Sequence, residues 1–113
     1  MASVFSNKRL ANPIVLTTVP QIFYTVPIGI TTVVSAITIA ASTGSVVNVS
    51  LHLCVGADAP SINNVLLPAV PIGGTVLVAN FNFGQVLHSM DNIWAYASMP
   101  GVVTLHGTGI EIS

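Results

Sequence analysis

Three histidines (His52, His88 and His106), three carboxylates (Asp58, Asp91 and Glu111) and one thiol (Cys54) are the obvious metal-binding or proton-moving side chains of this 113-residue chain. Three histidines on three strands could converge on a zinc ion. No H-x-H or H-x-x-x-H spacing brings them together, so each reads as an ordinary sheet-surface residue. Asp58 and Asp91 fall in turn contexts, where Asp serves backbone geometry, and nothing pairs a carboxylate with a second one for general acid–base work. Gly73-Gly74 does not close a strand that opens a helix, and no G-x-S-x-G is present, so neither a phosphate loop nor a nucleophile elbow is expected. The lone Cys54 forms no intramolecular disulfide and no metal knuckle, and suggests assembly in a reducing compartment. These residues predict a protein that is not an enzyme and holds no metal or cofactor.

The aromatic residues offer a different chemistry. Trp94 and Tyr96 share one face of a predicted strand, and with Phe81 and Phe83 they could form the platform of a carbohydrate-binding module. No polar cluster accompanies them as a ligand pocket requires, so packing in the core or at a subunit contact is the stronger expectation. Charge excludes more. The chain carries only Lys8, Arg9, Asp58, Asp91 and Glu111, or 4%, where an ordinary soluble domain carries about 25%. Two cations cannot make a nucleic-acid surface. A chain so poor in charge lacks what keeps monomers apart, so it is expected in a membrane or under other protein. The best membrane window, Val26 to Ala41, contains Pro27 and Gly29, repeats with period two, and is shorter than the roughly 20 apolar residues a spanning helix needs. A transmembrane barrel needs more strands than one copy supplies. Met1 to Leu10 is polar and does not read as a secretory leader. Burial between subunits is the expectation that remains.

The elements that position these side chains are strands. Thr31 to Val55 carries the strongest pattern: Val33, Ile37 and Ile39 on one parity, a break at Ser42-Thr43-Gly44-Ser45, then Val47, Val49, Leu51, Leu53 and Val55. Such alternation about a Gly-containing break predicts a β-hairpin, with Thr32, Thr38, Asn48, Ser50 and His52 outward. Shorter runs at Ile14–Thr18 and Ile22–Val26 are bordered by Pro20 and Pro27. Pro68 limits Ile62–Val70 to a short or edge strand. A turn at Pro71-Ile72-Gly73-Gly74, a strand at Thr75–Ala79 and a loop at Asn80–Gly84 follow. Val86–Met90, Ile93–Ser98 and Val102–Ile112 complete the set. In the last of these Val103 and Leu105 lie on odd positions but Ile110 and Ile112 on even ones, which predicts a bulge at Gly107 or Gly109. About eight to nine short strands with turn signals between them make an all-β fold, a single β-sandwich or jelly-roll-like domain of antiparallel strands. It is expected over residues 14–113. Residues 1–13 read as an extended N-terminal arm reaching onto a neighbour through Val4, Phe5, Lys8, Arg9 and Leu10, with Phe81 and Phe83 as further contact candidates.

Several of these runs resemble small virion β-sandwich proteins of tailed bacteriophages. Ile22-Phe23-Tyr24-Thr25-Val26-Pro27-Ile28-Gly29-Ile30-Thr31-Thr32 resembles their "lYtVPaGttt" opening. Ile37-Thr38-Ile39-Ala40-Ala41-Ser42-Thr43-Gly44 and Val47-Asn48-Val49-Ser50-Leu51 are similar to the two strands that follow. Val70-Pro71-Ile72-Gly73-Gly74-Thr75 resembles the "vPaGgT" turn, and Val103 to Ile112 the closing "V-T-v-x-x-x-G-x-E-I". The sequence departs from the pattern at Ala41, where Asn is common, and at Ser89-Met90-Asp91, which replaces a "pGD" turn. The resemblance implies a non-enzymatic structural component of a phage particle, assembled in the host cytoplasm. It implies a capsid cement or decoration subunit bound to the major capsid protein, or else a neck, tail or fibre-adaptor component. By analogy with cement proteins at threefold points it implies a homo-oligomer, a trimer first.

Overall fold

The computed structural model of the chain describes residues 5–10, 13–42, 44–56, 58–61, 64–73 and 78–113, with the backbone alone at 5–8, 82 and 83. The strands are β1 (Phe5–Arg9), β2 (Ile14–Val15), β3 (Gln21–Thr25), β4 (Thr31–Ala41), β5 (Val46–Cys54), β6 (Val65–Gly73), β7 (Val78–Leu87), β8 (Asn92–Ala97) and β9 (Val103–Ile112). The large sheet runs β1-β9-β4-β7, with β2 also on β9, and the small sheet runs β3-β8-β5-β6. Each pairing is antiparallel, and the chain pairs from its ends inward: β1 and β2 with β9, β3 with β8, β4 with β7, β5 with β6. This nesting is the jelly-roll form of the β-sandwich.

The topology revises the expected hairpin. β4 and β5 lie in different sheets, so Ser42 to Ser45 carries the chain across the sandwich rather than back along one sheet. Period-two alternation is the same for both arrangements, because each strand buries one face against the core either way. The parity within β4 also changes. Thr32 and Val34 are buried on even positions, and Ile37, Ile39 and Ala41 on odd ones. The switch is a bulge at Ser35: this one extra residue separates Val34 from Ala36 while their β9 partners, Gly109 and Thr108, are adjacent. The bulge expected at Gly107 or Gly109 therefore sits on the neighbouring strand. β9 buries Val103, Leu105, Gly107 and Gly109 without interruption. Beyond them Glu111, opposite Thr32, takes the inward position that Ile110 and Ile112 were expected to fill.

Two further expectations change. Asn80–Gly84 is strand, not loop, and Pro71–Gly73 is the end of β6, not a turn. Pro68 and Pro71 are tolerated because β6 is an edge strand. The segment read as an arm lies along β9 over Phe5–Arg9, and Leu10, 7% exposed, joins the core.

The two sheets interlock through the Phe23 ring, which only glycine can face. Phe23 occupies the bulge where β3 shifts register against β8, between Ile22 and Tyr24, and its buried ring reaches the large sheet. A Cβ on Gly107 would lie 2.8 Å from Phe23 Cε2. A Cβ on Gly109 would collide with the Val33 carbonyl and lie 3.2 Å from both Leu10 Cδ atoms. At one end of the core the buried Tyr24 phenol donates to Glu111 Oε2 at 2.6 Å and lies 2.9 Å from Thr32 Oγ1. Burial and the Glu111 bond push its pKa up to about 12.

Candidate interaction surfaces

β8 turns Ile93, Ala95 and Ala97 to the core, so Trp94 and Tyr96 project from the outer face of the small sheet. There they stand beside their β5 neighbours His52 and Ser50. The Tyr96 and His52 rings stack with centroids 5.7 Å apart and 15° between planes. This face is not bare. His52 and Ser50 are only 5% exposed: Ser61 and Asn64, on the segment after β5, close over His52, and Ser50 Oγ accepts the Ala69 N–H at 3.1 Å. The His52 Nδ1 lies 3.1 Å from the Ser61 carbonyl and 2.9 Å from Asn64 Oδ1. Asn64 is oriented by its own bonds: Oδ1 accepts from the Ser61 N–H and Nδ2 donates to the Ala59 carbonyl. Two acceptors at Nδ1 require that it carry the proton. The buried Nε2, like the buried Trp94 Nε1, has no hydrogen-bond partner among the described residues.

A shallow cleft of about 420 Å³ opens beside this pair, lined by Pro20, Ser50, Pro60, Pro68 and Tyr96 among others. A larger one, about 680 Å³, lies between the same segment and the end of β7, with Leu53, Asp58, Leu66 and Gln85 in its wall. Both fall in the size range of small-ligand clefts. Neither gathers a catalytic constellation: the first has no charged side chain in its lining and the second only Asp58. Phe81, expected beside Trp94 and Tyr96 in a sugar platform, sits on β7 in the other sheet and packs against the core. Phe83 is on that strand too. The four aromatics do not form one surface.

The candidate contact residues divide between the two edges of the large sheet. Phe5, Lys8 and Arg9 lie on β1, with Arg9 exposed. Phe81 and Phe83 lie on β7, three strands away, or roughly 14 Å at the usual interstrand spacing. Val4 is outside the described residues. Leu10 donates its N–H to the Gly107 carbonyl at 3.0 Å and is buried in the chain's own core. Between the two edges, the outer face of the large sheet carries Ala36, Thr38 and Ala40 on β4 and Thr104, His106 and Thr108 on β9. No carboxylate, lysine or arginine stands among them. Alternation places Ala36, Thr38 and Ala40 opposite the buried Ile37 and Ile39, as observed, and the Ser35 bulge reverses only the expected facing of Thr32 and Val33 ahead of it.

The remaining titratable groups are separate. Asp91 is 7% exposed and accepts the His88 N–H at 2.9 Å, closing the turn after β7. Cys54 is buried, and burial first, Asp58 second, pushes its thiol pKa up. No group of three or more His, Cys, Asp or Glu able to hold a metal exists among the described residues. No described helix is long and apolar enough to cross a membrane.

No protein-family profile matches the sequence, and no curated protein matches it. Among solved structures, the chain is similar to a protein from work on Bacillus endospore appendages described as a novel family of disulfide-linked pili. That match has a TM-score of 0.60 at 12% identity, over 100% of this chain and 91% of that one. A second match, to the structure of infectious bursal disease virus Gx strain, has a TM-score of 0.48 at 12% identity. It covers 97% of this chain and 32% of that one. At such identity the first match is a likeness of fold.

Proposed function

We propose that this chain is a non-enzymatic structural subunit of a multi-copy particle, and that the particle is a tailed bacteriophage. On it the chain serves as a cement or decoration subunit of the head. The observation that carries the reading is the middle of the large sheet's outer face, Ala36, Thr38, Ala40, Thr104, His106 and Thr108, which holds no carboxylate, lysine or arginine and has Arg9 only at its β1 margin, opposite Thr108. A neutral, small-residue sheet face loses little on being covered, since no ion has to be desolvated. The short motifs from Ile22 to Ile112 support the phage assignment. On this reading Lys8 and Arg9 on β1 contact the major capsid protein, and Phe81 and Phe83 meet a neighbouring copy.

A pilus-like fibre is the second reading, favoured by the fold likeness over nearly the whole length of both chains. Those pili are described as disulfide-linked, whereas the one cysteine here, Cys54, is buried. A fibre of this chain would have to be held without it. Purified particles from the source phage, stripped of the subunit and imaged by electron cryomicroscopy, test the assignment. The expected result is many copies on the head exterior and a lower disruption temperature of stripped heads. Density confined to the neck, tail or fibre base would replace the head assignment with the adaptor role. Absence of the chain from particles would overturn the phage reading.

A further inference from the structure

With two cations and three carboxylates in 113 residues, the place of each charge matters to how a partner is recognised. Asp91 is buried and closes the turn after β7 through the His88 N–H. Glu111 accepts the Tyr24 phenol at one end of the core. Lys8 lies on β1. Arg9 and Asp58 are different. Both are exposed, and among the described residues no ion pair or side-chain hydrogen bond holds either one. They are opposite in sign but out of each other's reach. Arg9 is on β1 at one edge of the large sheet, and Asp58 lines the cleft beside β7 at the other, three interstrand spacings or roughly 14 Å away.

A second observation comes from the register. Lys8 pairs with Gly109, Gly109 with Val34 and Val34 with Gln85, so one rung crosses the large sheet from the basic edge to a wall of the cleft. The next rung runs from Arg9 through Thr108 and Ala36 to Asn82. The cation and the cleft therefore stand at one level along the strands, on opposite sides of the subunit. The cleft also suits the side chain. It measures about 680 Å³, Asp58 is the one charged residue in its described lining, and Leu53, Val55 and Leu66 supply apolar wall. An arginine stem packs along apolar surface while its guanidinium forks onto a carboxylate.

We propose that Arg9 of one copy docks into the Asp58 cleft of the next, joining copies head to tail. This rests on the reading of the chain as an assembling subunit and names the surface through which copies meet. The contact is heterologous: the β1 edge of one copy meets the β7 side of its neighbour through side chains, with no shared backbone ladder required. Repeated, such a contact closes as a ring, the form a threefold site on a head accepts, or runs on as a fibre. Setting β1 against β1 instead would bring the Arg9 side chains of both copies together and give neither a carboxylate. The guanidinium carries five N–H donors, so Arg9 can pair the neighbour's Asp58 and still donate to the shell beneath. In a chain so poor in charge, one opposite pair sets the orientation of the contact, and its value lies in specificity more than in affinity.

The test uses the full chain as the natural sequence, as Arg9→Asp, as Asp58→Arg and as the double variant that exchanges the two. Both positions are exposed, and circular dichroism checks that each variant keeps the fold. Sedimentation velocity over a wide concentration range is expected to show association of the natural sequence. Each single variant sets like charges against each other at the contact and is expected to weaken association by about tenfold or more. The double variant restores an opposite pair with its sign reversed and is expected to recover most of that loss. An equimolar mixture of the two single variants is expected to associate more strongly than either alone, since each presents the charge the other lacks. Arg9→Gln and Asp58→Asn, which remove a charge without reversing it, stand in for a reversal that does not fold and should weaken association in the same sense. A natural-sequence protein that stays monomeric at high concentration overturns both this contact and the assembly reading. Association unchanged in either single variant, or no recovery in the double variant and the mixture, overturns the contact alone.

Discussion

Gly107→Ala is the sharpest probe of how the two sheets are locked. The new methyl carbon would lie 2.8 Å from Phe23 Cε2, 3.0 Å from Phe23 Cζ and 4.0 Å from Ile37 Cγ1. Non-bonded carbons are at their best near 3.5–4.0 Å, so the ring has to withdraw by about 0.5–1 Å. Phe23 is 4% exposed, and its ring is a stiff plate inside the core, so the retreat displaces its neighbours. Overpacking of this kind costs about 1–3 kcal/mol, while replacing Gly by Ala in a strand returns about 0.5–1 kcal/mol. The net expectation is a loss of about 1–2 kcal/mol. For a chain of this size about 4 °C of Tm accompanies each kcal/mol, so Tm falls by about 4–8 °C. Urea unfolding followed by the single tryptophan, Trp94, reads the change. In a Phe23→Leu background the smaller side chain leaves room for the methyl, and the Gly107→Ala loss should shrink by about 1 kcal/mol. An equal loss in both backgrounds, or no loss with Phe23 present, would refute the interlock.

Three further outcomes are expected. Tyr24→Phe leaves the buried Thr32 without its phenol partner and should cost about 1–2 kcal/mol. The folded phenol keeps its proton up to about 12, against 10.0 for a free one. The natural protein therefore binds more protons folded than unfolded in that window and loses stability as pH rises from 10 to 12. The loss is at most about 2.7 kcal/mol, at 1.36 kcal/mol per pH unit. Urea midpoints at the two ends of the window should show a shallower decline in Tyr24→Phe. Asn64→Ala removes the acceptor that holds the Ser61 N–H and one of the two on His52 Nδ1. Hydrogen exchange at the Ser61 amide should accelerate, with a global cost of about 1–2 kcal/mol. Cys54, buried and with its thiol pKa raised, should react with a thiol reagent only on unfolding. Rapid labelling of the folded protein would contradict its placement.

Much of the architecture was legible because each strand alternates and the turns are marked. The alternation of Val47, Val49 and Leu51 placed them in the core, where they are fully buried. What alternation cannot reveal is which strand lies beside which. β4 and β5 read as a hairpin because a strand facing its neighbour across the core has the same pattern as one hydrogen-bonded to it. Bulges were likewise visible only as a clash of parities. The clash within β9 was real, but its resolution came from Ser35 on the adjacent strand and from Tyr24, which gives Glu111 an inward partner. The aromatics show the same limit. Trp94 and Tyr96 do share a face, yet Phe81 belongs to the other sheet, and no local pattern encodes that separation. The cover over His52 comes from Ser61 and Asn64, residues whose side chains give no periodic signal at all.

On the proposed function, the neutral surfaces of this sandwich are covered by further protein. Sedimentation equilibrium of the full natural chain, at neutral pH and moderate salt, measures this most directly. Reversible association into dimers or larger species, with the β-type circular dichroism intact, is the predicted result. A folded chain that remains monomeric and soluble up to the highest concentrations attainable would contradict it.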